Sequence, residues 1–411
     1  MLRLFKLCGM ISAPPVSFHA GRIDLLANVH RFRPYVGLLR LLGPARRLTP
    51  AAVLVLTVLA SSADGAELNT RNVILITIDG VRVQEIFGGM DPVLAAHSES
   101  IEDSDIELAR ERYWRETPEA RREALMPFFW RTLAPQGVVL GNKANGSSVL
   151  ERNRTLWSSP GYSEILTGEA QADVVDSALV RYSHRTVLEH VRNELKLDRH
   201  EVAQFGSWDG FKTIAASSDE AIYMNGAYDA VPAHLSSPRM DYLAELRPQI
   251  MGLWEESSND VISFRMALGY LEKNHPRLMW LAFGQSDDWA HADRYDRLLD
   301  YLRLVDRLLE ELWETLEASD AYRGKLTLII TTDHGRGLTG KDWVDHDAAV
   351  RGSADIWVAV IGPDTPDRGE VSPVPTVYQS DIAATLLQFF ALDCREFNPD
   401  AGPPISGTLV R

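Results

Sequence analysis

Asp79 follows the run NVILITI, the segment QSDDWAH with Asp287 and His291 follows RLMWLAFG, and Asp333-His334-Gly335 follows KLTLIITT. His346 comes twelve residues after His334, inside WVDHD. Each is weak alone, since an Asp after a strand is usually a turn residue or a helix cap, and Asp287 with His291 has the spacing of a common surface pair on one helix face. Jointly they deliver six oxygen or nitrogen ligands in a chain whose two cysteines are Cys8 and Cys394. Such a set suits two adjacent divalent ions, zinc by preference, with manganese or magnesium as alternatives. Spacing does not choose between Asp287 and its neighbour Asp288, and the charges of Asp345 and Asp347 beside His346 either steer its ring or simply solvate a turn.

The stretch LWSSPGYSEILTG adds two hydroxyls, Ser158 and Ser159, directly before a proline and a glycine. A serine-proline pair most often caps a helix. A serine hydroxyl is a poor nucleophile at neutral pH, and coordination to a dication lowers its pKa enough to change that. Residue type alone leaves both serines open.

These groups need a scaffold that collects distant segments. From Asn72 onward the chain alternates short β-rich runs with amphipathic helical ones, and the runs at 73–78, 279–283 and 326–332 are almost continuously apolar, as strands buried on both faces are. The alternation predicts an α/β fold, a doubly wound, mostly parallel sheet flanked by helices. Ligands of such sheets gather beyond the carboxyl ends of the strands, where these residues fall. No repeat or linker divides residues 67–411, so one catalytic domain is expected, with the least periodic stretch, 208–254, as a lid or insertion.

Residues 1–66 read differently. They carry eight Lys or Arg against two Asp, and Arg46-Arg47 precede an apolar run of about ten residues followed by small ones, the pattern of a secretory leader too short to span a bilayer. Export to the periplasm or the exterior is expected, with no stable membrane span once the leader is removed. The whole chain has a net charge of −15. An acidic surface repels nucleic acid, so none is expected as a partner, and an anionic small-molecule substrate needs a local cationic centre. Loss of Cys8 with the leader would leave no internal disulfide and no cysteine-rich zinc module.

In order along the chain, ILITIDGVR, SSPGYSEILTG, GQSDDWAH, TTDHGRG and VDH resemble the motifs of the alkaline phosphatase superfamily, especially its nucleotide pyrophosphatase/phosphodiesterase and sulfatase-like branches. The resemblance implies that Ser158, two positions before Pro160 in a pattern ending Leu166-Thr167-Gly168, is the nucleophile. It implies one ion held by Asp287, His291 and His346, and a second held by Asp79, Asp333 and His334 with the oxygen of Ser158. It implies hydrolysis of phosphate monoesters or diesters through a phosphoseryl intermediate, two ions clamping an in-line displacement.

Departures from the family pattern narrow this. Gly161 stands where many phosphodiesterases place a phosphate-binding Asn, so Arg336, Asn145 and Lys143 are candidates for that contact. Tyr162 stands where formylglycine sulfatases carry Arg, which disfavours sulfate hydrolysis. The alternatives are a sulfatase-like or phosphoglycerate-mutase-like relative, or a catalytically silent metal-binding protein of the envelope.

Overall fold

A computed structural model describes residues 67–96, 104–372 and 374–410, all within one unit, Asp64–Arg411. The leader assigned to residues 1–66 lies outside the described residues.

Among the described residues eleven strands form two sheets. The small sheet joins β3 (Val149–Leu150), β8 (Asp355–Ile356) and β11 (Val377–Tyr378). The large one is built from β1 (Asn72–Ile78), β2 (Gly137–Leu140), β4 (Val202–Gly206), β5 (Tyr223–Asn225), β6 (Leu278–Phe283), β7 (Leu326–Thr331), β9 (Val358–Ile361) and β10 (Gly369–Glu370). Their order across the sheet is β10-β2-β9-β7-β1-β6-β4-β5. β1 pairs in parallel with both β6 and β7, and β9 runs antiparallel to its neighbours β7 and β2. The sheet is therefore doubly wound and mostly parallel, as the alternation predicts.

Side-chain alternation explains why β1 is apolar throughout. Successive residues of a strand point to opposite faces. Ile74, Ile76 and Ile78 enter the core on one face, and Val73 and Leu75 enter the core on the other. The first core is covered by the helix Tyr295–Glu317, whose Leu298, Leu302, Val305, Leu309 and Leu312 recur at helical spacing. The second is covered by the helix Ser158–Thr167, buried along its whole length, with Tyr162, Ile165 and Leu166 against the sheet.

The consequence for function lies at the carboxyl ends of β1, β6 and β7. These three strands are adjacent, and the chain beyond them supplies Asp79, the helix Gln285–His291, and Asp333-His334. Arg82 ties two of these loops together in a buried network. Its Nη1 donates to Gly337 O at 2.9 Å, its Nη2 to Asp91 at 3.0 Å and its Nε to Glu85 at 3.0 Å. The segment 208–254 is folded, with the helix Gly210–Ala215, strand β5 and the helix Pro238–Leu246.

Candidate metal centre

The seven residues implied by the family motifs converge in two adjoining groups. Asp79, Asp333 and His334 each offer a ligand atom within 4.8 Å of the others, and so do Asp287, His291 and His346. In the first group His334 Nε2 is 3.4 Å from Asp79 Oδ1, 3.3 Å from Asp333 Oδ2 and 3.3 Å from Ser158 Oγ. In the second, His291 Nε2 is 3.3 Å from Asp287 Oδ2 and 3.2 Å from His346 Nε2. Asp287 Oδ1 lies between the groups, 3.9 Å from His334 Nε2 and 3.8 Å from His346 Nε2. The rings of His334 and His346 stack at 3.7 Å and 14°.

Hydrogen bonds fix which imidazole nitrogen faces inward. His334 Nδ1 lies 2.9 Å from Gly335 O, and His346 Nδ1 lies 2.8 Å from Leu156 O. A carbonyl oxygen only accepts, so both Nδ1 atoms carry the proton and donate it. Each Nε2 lone pair is then left for a ligand role, the usual arrangement of a metal-binding histidine. Leu156 presents its carbonyl from the left-handed region, at φ 57°, a conformation costly for a branched side chain.

The donors fit a divalent cation. Asp79 Oδ1 and Asp333 Oδ2 are buried and have no hydrogen-bond partner. Burial, with Asp79 alongside, pushes the Asp333 carboxyl up to about 8. Burial opposes charge on His334, yet Asp333 and Asp79 push it up to about 10. A dication satisfies the same two carboxylates and leaves the imidazole neutral.

Ser158 opens the helix Ser158–Thr167. Gly161, one turn on, packs so tightly that a Cβ there would sit 2.5 Å from Asp333 O. This is the physical reason for the glycine at that position: the helix that Ser158 opens lies directly against the Asp333 loop. Tyr162 is four residues after Ser158 and one turn along the same face, and its hydroxyl donates to Asp79 Oδ2 at 2.9 Å. The aromatic side chain, in contact with Phe211 and Trp280, thus orients a ligand.

Beside these groups opens a cavity of about 510 Å³, lined by Ser158, Asp79, Asp287, His291 and His346, and by Trp157, Trp208, Phe211 and Trp254. The segment 208–254 therefore supplies three aromatic walls of the cavity. Asp288 lines it as well, whereas Asp287 joins the histidines.

The three proposed phosphate contacts fall elsewhere. Arg336 is buried behind Asp287, with which it forms an ion pair, and its Nη1 donates to Val344 O at 2.6 Å. It braces a ligand and does not line the cavity. Lys143 Nζ is 2.8 Å from Asp355, and Asn145 bonds Glu370, both beside a separate groove. Their closeness to SSPGYSEILTG in sequence misled, because β3 carries the chain away between them. Asp345 and Asp347 line the cavity but leave the His346 ring to Leu156, and Asp347 caps its own turn through Ala349 and Val350. Leu156 carries no signal in the sequence. Tyr162 does, through its four-residue spacing from Ser158.

No family model matches the sequence, and no curated protein matches it. Among solved structures, Ps i-CgsB in complex with k-i-k-neocarrahexaose is similar at a TM-score of 0.50 and 12% identity, over 82% of this chain and 75% of that one. A protein of the alkaline phosphatase superfamily from Vibrio parahaemolyticus matches at a TM-score of 0.46 and 13% identity, over 79% and 67%. Phosphonate monoester hydrolase of Agrobacterium radiobacter matches at 0.43 and 13%, over 78% and 74%. At such identities the likeness is one of fold alone.

Proposed function

We propose that this chain is an exported, metal-dependent hydrolase of phosphate esters in which Ser158 is the nucleophile. The observation that carries the reading is the position of Ser158 Oγ, 3.3 Å from His334 Nε2 and facing the cavity between the two ligand groups. Asp287, His291 and His346 would hold one divalent ion, of the zinc type, and Asp79, Asp333 and His334 the other. When bound, such ions polarise the phosphoryl group and lower the pKa of the serine hydroxyl.

The remaining steps belong to the protein. Ser158 Oγ attacks phosphorus as its proton departs, the bond from phosphorus to the leaving alcohol breaks, and the alcohol leaves with a proton from solvent. Water then attacks the phosphoserine, the P–Oγ bond breaks and Ser158 regains its proton. Tyr162 and Arg336 keep Asp79 and Asp287 in place throughout, and Leu156 keeps the His346 ring in one tautomer. Tyr162 in the position of the sulfatase arginine favours phosphate over sulfate esters. The apolar run after Arg46-Arg47 supports export.

Ser158→Ala tests the assignment. The variant is expected to lose p-nitrophenyl phosphate hydrolysis by about a thousandfold or more while retaining two bound ions per chain. Full activity in the variant would refute the nucleophile.

A further inference from the structure

The cavity wall has an unusual chemistry. Beyond the four candidate ligands that line it, Asp79, Asp287, His291 and His346, it carries four more carboxylates, Asp288, Glu256, Asp345 and Asp347, and no Lys or Arg is among its described lining residues. Trp157, Trp208 and Trp254 line the same cavity. Trp157 and Trp254 are 39% and 52% exposed, open for side chains as large and apolar as indoles.

The wall is held in shape. Trp208 bridges Ser257 in an antiparallel pair, Asp209 N donates to Glu256 O at 3.2 Å, and Ser258 N donates to Ser207 O at 2.7 Å. Trp208 also packs edge-on against the buried Phe211 at 5.4 Å. The backbone that carries Trp208 and Glu256 is therefore held in place at the cavity wall.

Electrostatics decides what such a wall accepts. A second phosphate on the substrate would meet four carboxylates with no cationic side chain to offset them, so polyphosphate esters are repelled. An organic cation is drawn to both features, to carboxylates by charge and to indole faces by the ring quadrupole. A neutral sugar could stack on the same indoles and donate its hydroxyls to the carboxylates, but it would gain nothing from their charge, whereas a cation gains from both.

Resting on the phosphate-ester reading above, we propose that this cavity binds the cationic part of the substrate, a phosphate ester or diester of an alcohol bearing a quaternary ammonium group, as choline does. Indole faces take the methyl groups of such a cation, which cannot donate hydrogen bonds, and the carboxylates balance its charge at longer range.

The metal-loaded protein is titrated calorimetrically with choline chloride, with its neutral isostere 3,3-dimethylbutan-1-ol, with ethanolamine and with a methyl glycoside. In parallel, kcat/KM is compared for p-nitrophenylphosphorylcholine and p-nitrophenyl 3,3-dimethylbutyl phosphate. Choline is expected to bind about tenfold or more tightly than its isostere, with a similar ratio between the two esters. Trp254→Leu and, independently, the exposed-site change Glu256→Gln are expected to bring both ratios toward one. Equal binding of choline and isostere, or tighter binding of the glycoside, overturns the cation site, and hydrolysis of both esters would then leave the phosphoesterase reading standing. Tighter binding of ethanolamine overturns the quaternary assignment. Selective choline binding with no turnover of either ester upholds the cation site and sinks the phosphoesterase reading.

Discussion

His346 Nδ1 donates to the carbonyl oxygen of Leu156 at 2.8 Å, and Leu156 stands two residues ahead of Ser158. The strained turn that launches the helix of Ser158 thus also sets the ring of a candidate ligand from the other end of the chain. His346→Ala is expected to lower the metal content of dialysed protein from two ions per chain to one, measured by inductively coupled plasma mass spectrometry. Unchanged content would remove His346 from the ligand set.

Chelation should also be visible as lost stability. Asp79 Oδ1 and Asp333 Oδ2 are buried acceptors without hydrogen-bond partners, and an ion that binds only the folded chain adds about 3 kcal/mol when present at a hundred times its dissociation constant. Treatment with EDTA is expected to lower Tm by several degrees, with recovery on adding zinc. An unchanged Tm would argue that the groups hold no ion.

Tyr162→Phe isolates one hydroxyl. The ring keeps its contacts with Phe211 and Trp280, while Asp79 Oδ2 loses its donor at 2.9 Å. Removing such an outer partner typically costs tenfold to about a hundredfold in metal affinity. A competitive chelator titration should show that loss with little change in the apo-protein's Tm; equal affinities would leave Tyr162 a packing residue only.

Much of this was legible in the sequence, for identifiable reasons. β1, β6 and β7 are buried on both faces, so their apolar runs stand out, and a ligand placed directly after such a run is carried to a predictable edge. His346 follows no strand, so it was legible only through its closeness to Asp333-His334 and the motif resemblance. Arg336, Lys143 and Asn145 were misread because closeness in sequence says nothing of direction: Arg336 turns back beneath Asp287, and β3 diverts the other two. Strand β9 reverses direction inside an otherwise parallel sheet, and no periodicity in ADIWVAVIG could reveal that.

Gly161→Ala probes the close approach of the nucleophile helix to the Asp333 loop. The added methyl would lie 2.5 Å from Asp333 O, a backbone atom that cannot swing aside. Overpacking of this kind costs about 1–3 kcal/mol, so a lower Tm and a lower kcat are expected together. A variant with native Tm and native kcat would show that the loop yields freely.

Glu164 gives a pH signature away from the ligands. Burial pushes its carboxyl up from 4.5 to about 7, although the backbone N–H groups of Arg152 and Asn153 donate to it. A raised acid holds its proton in the folded state where the unfolded chain has released it. Stability therefore falls as pH rises between about 4.5 and 7, by about 3 kcal/mol across the window. Glu164→Gln is expected to flatten the decline in Tm measured from pH 5 to pH 8. An unaltered slope would place the titration elsewhere.

The seven groups of the candidate centre are drawn from positions as far apart as Asp79 and His346. A growing polypeptide can offer no complete pair of sites until residue 346 has been synthesised and the flanks of β1 are filled. Ion capture at these groups would thereby be a late event of maturation, and the ions present where folding finishes would be the ones taken.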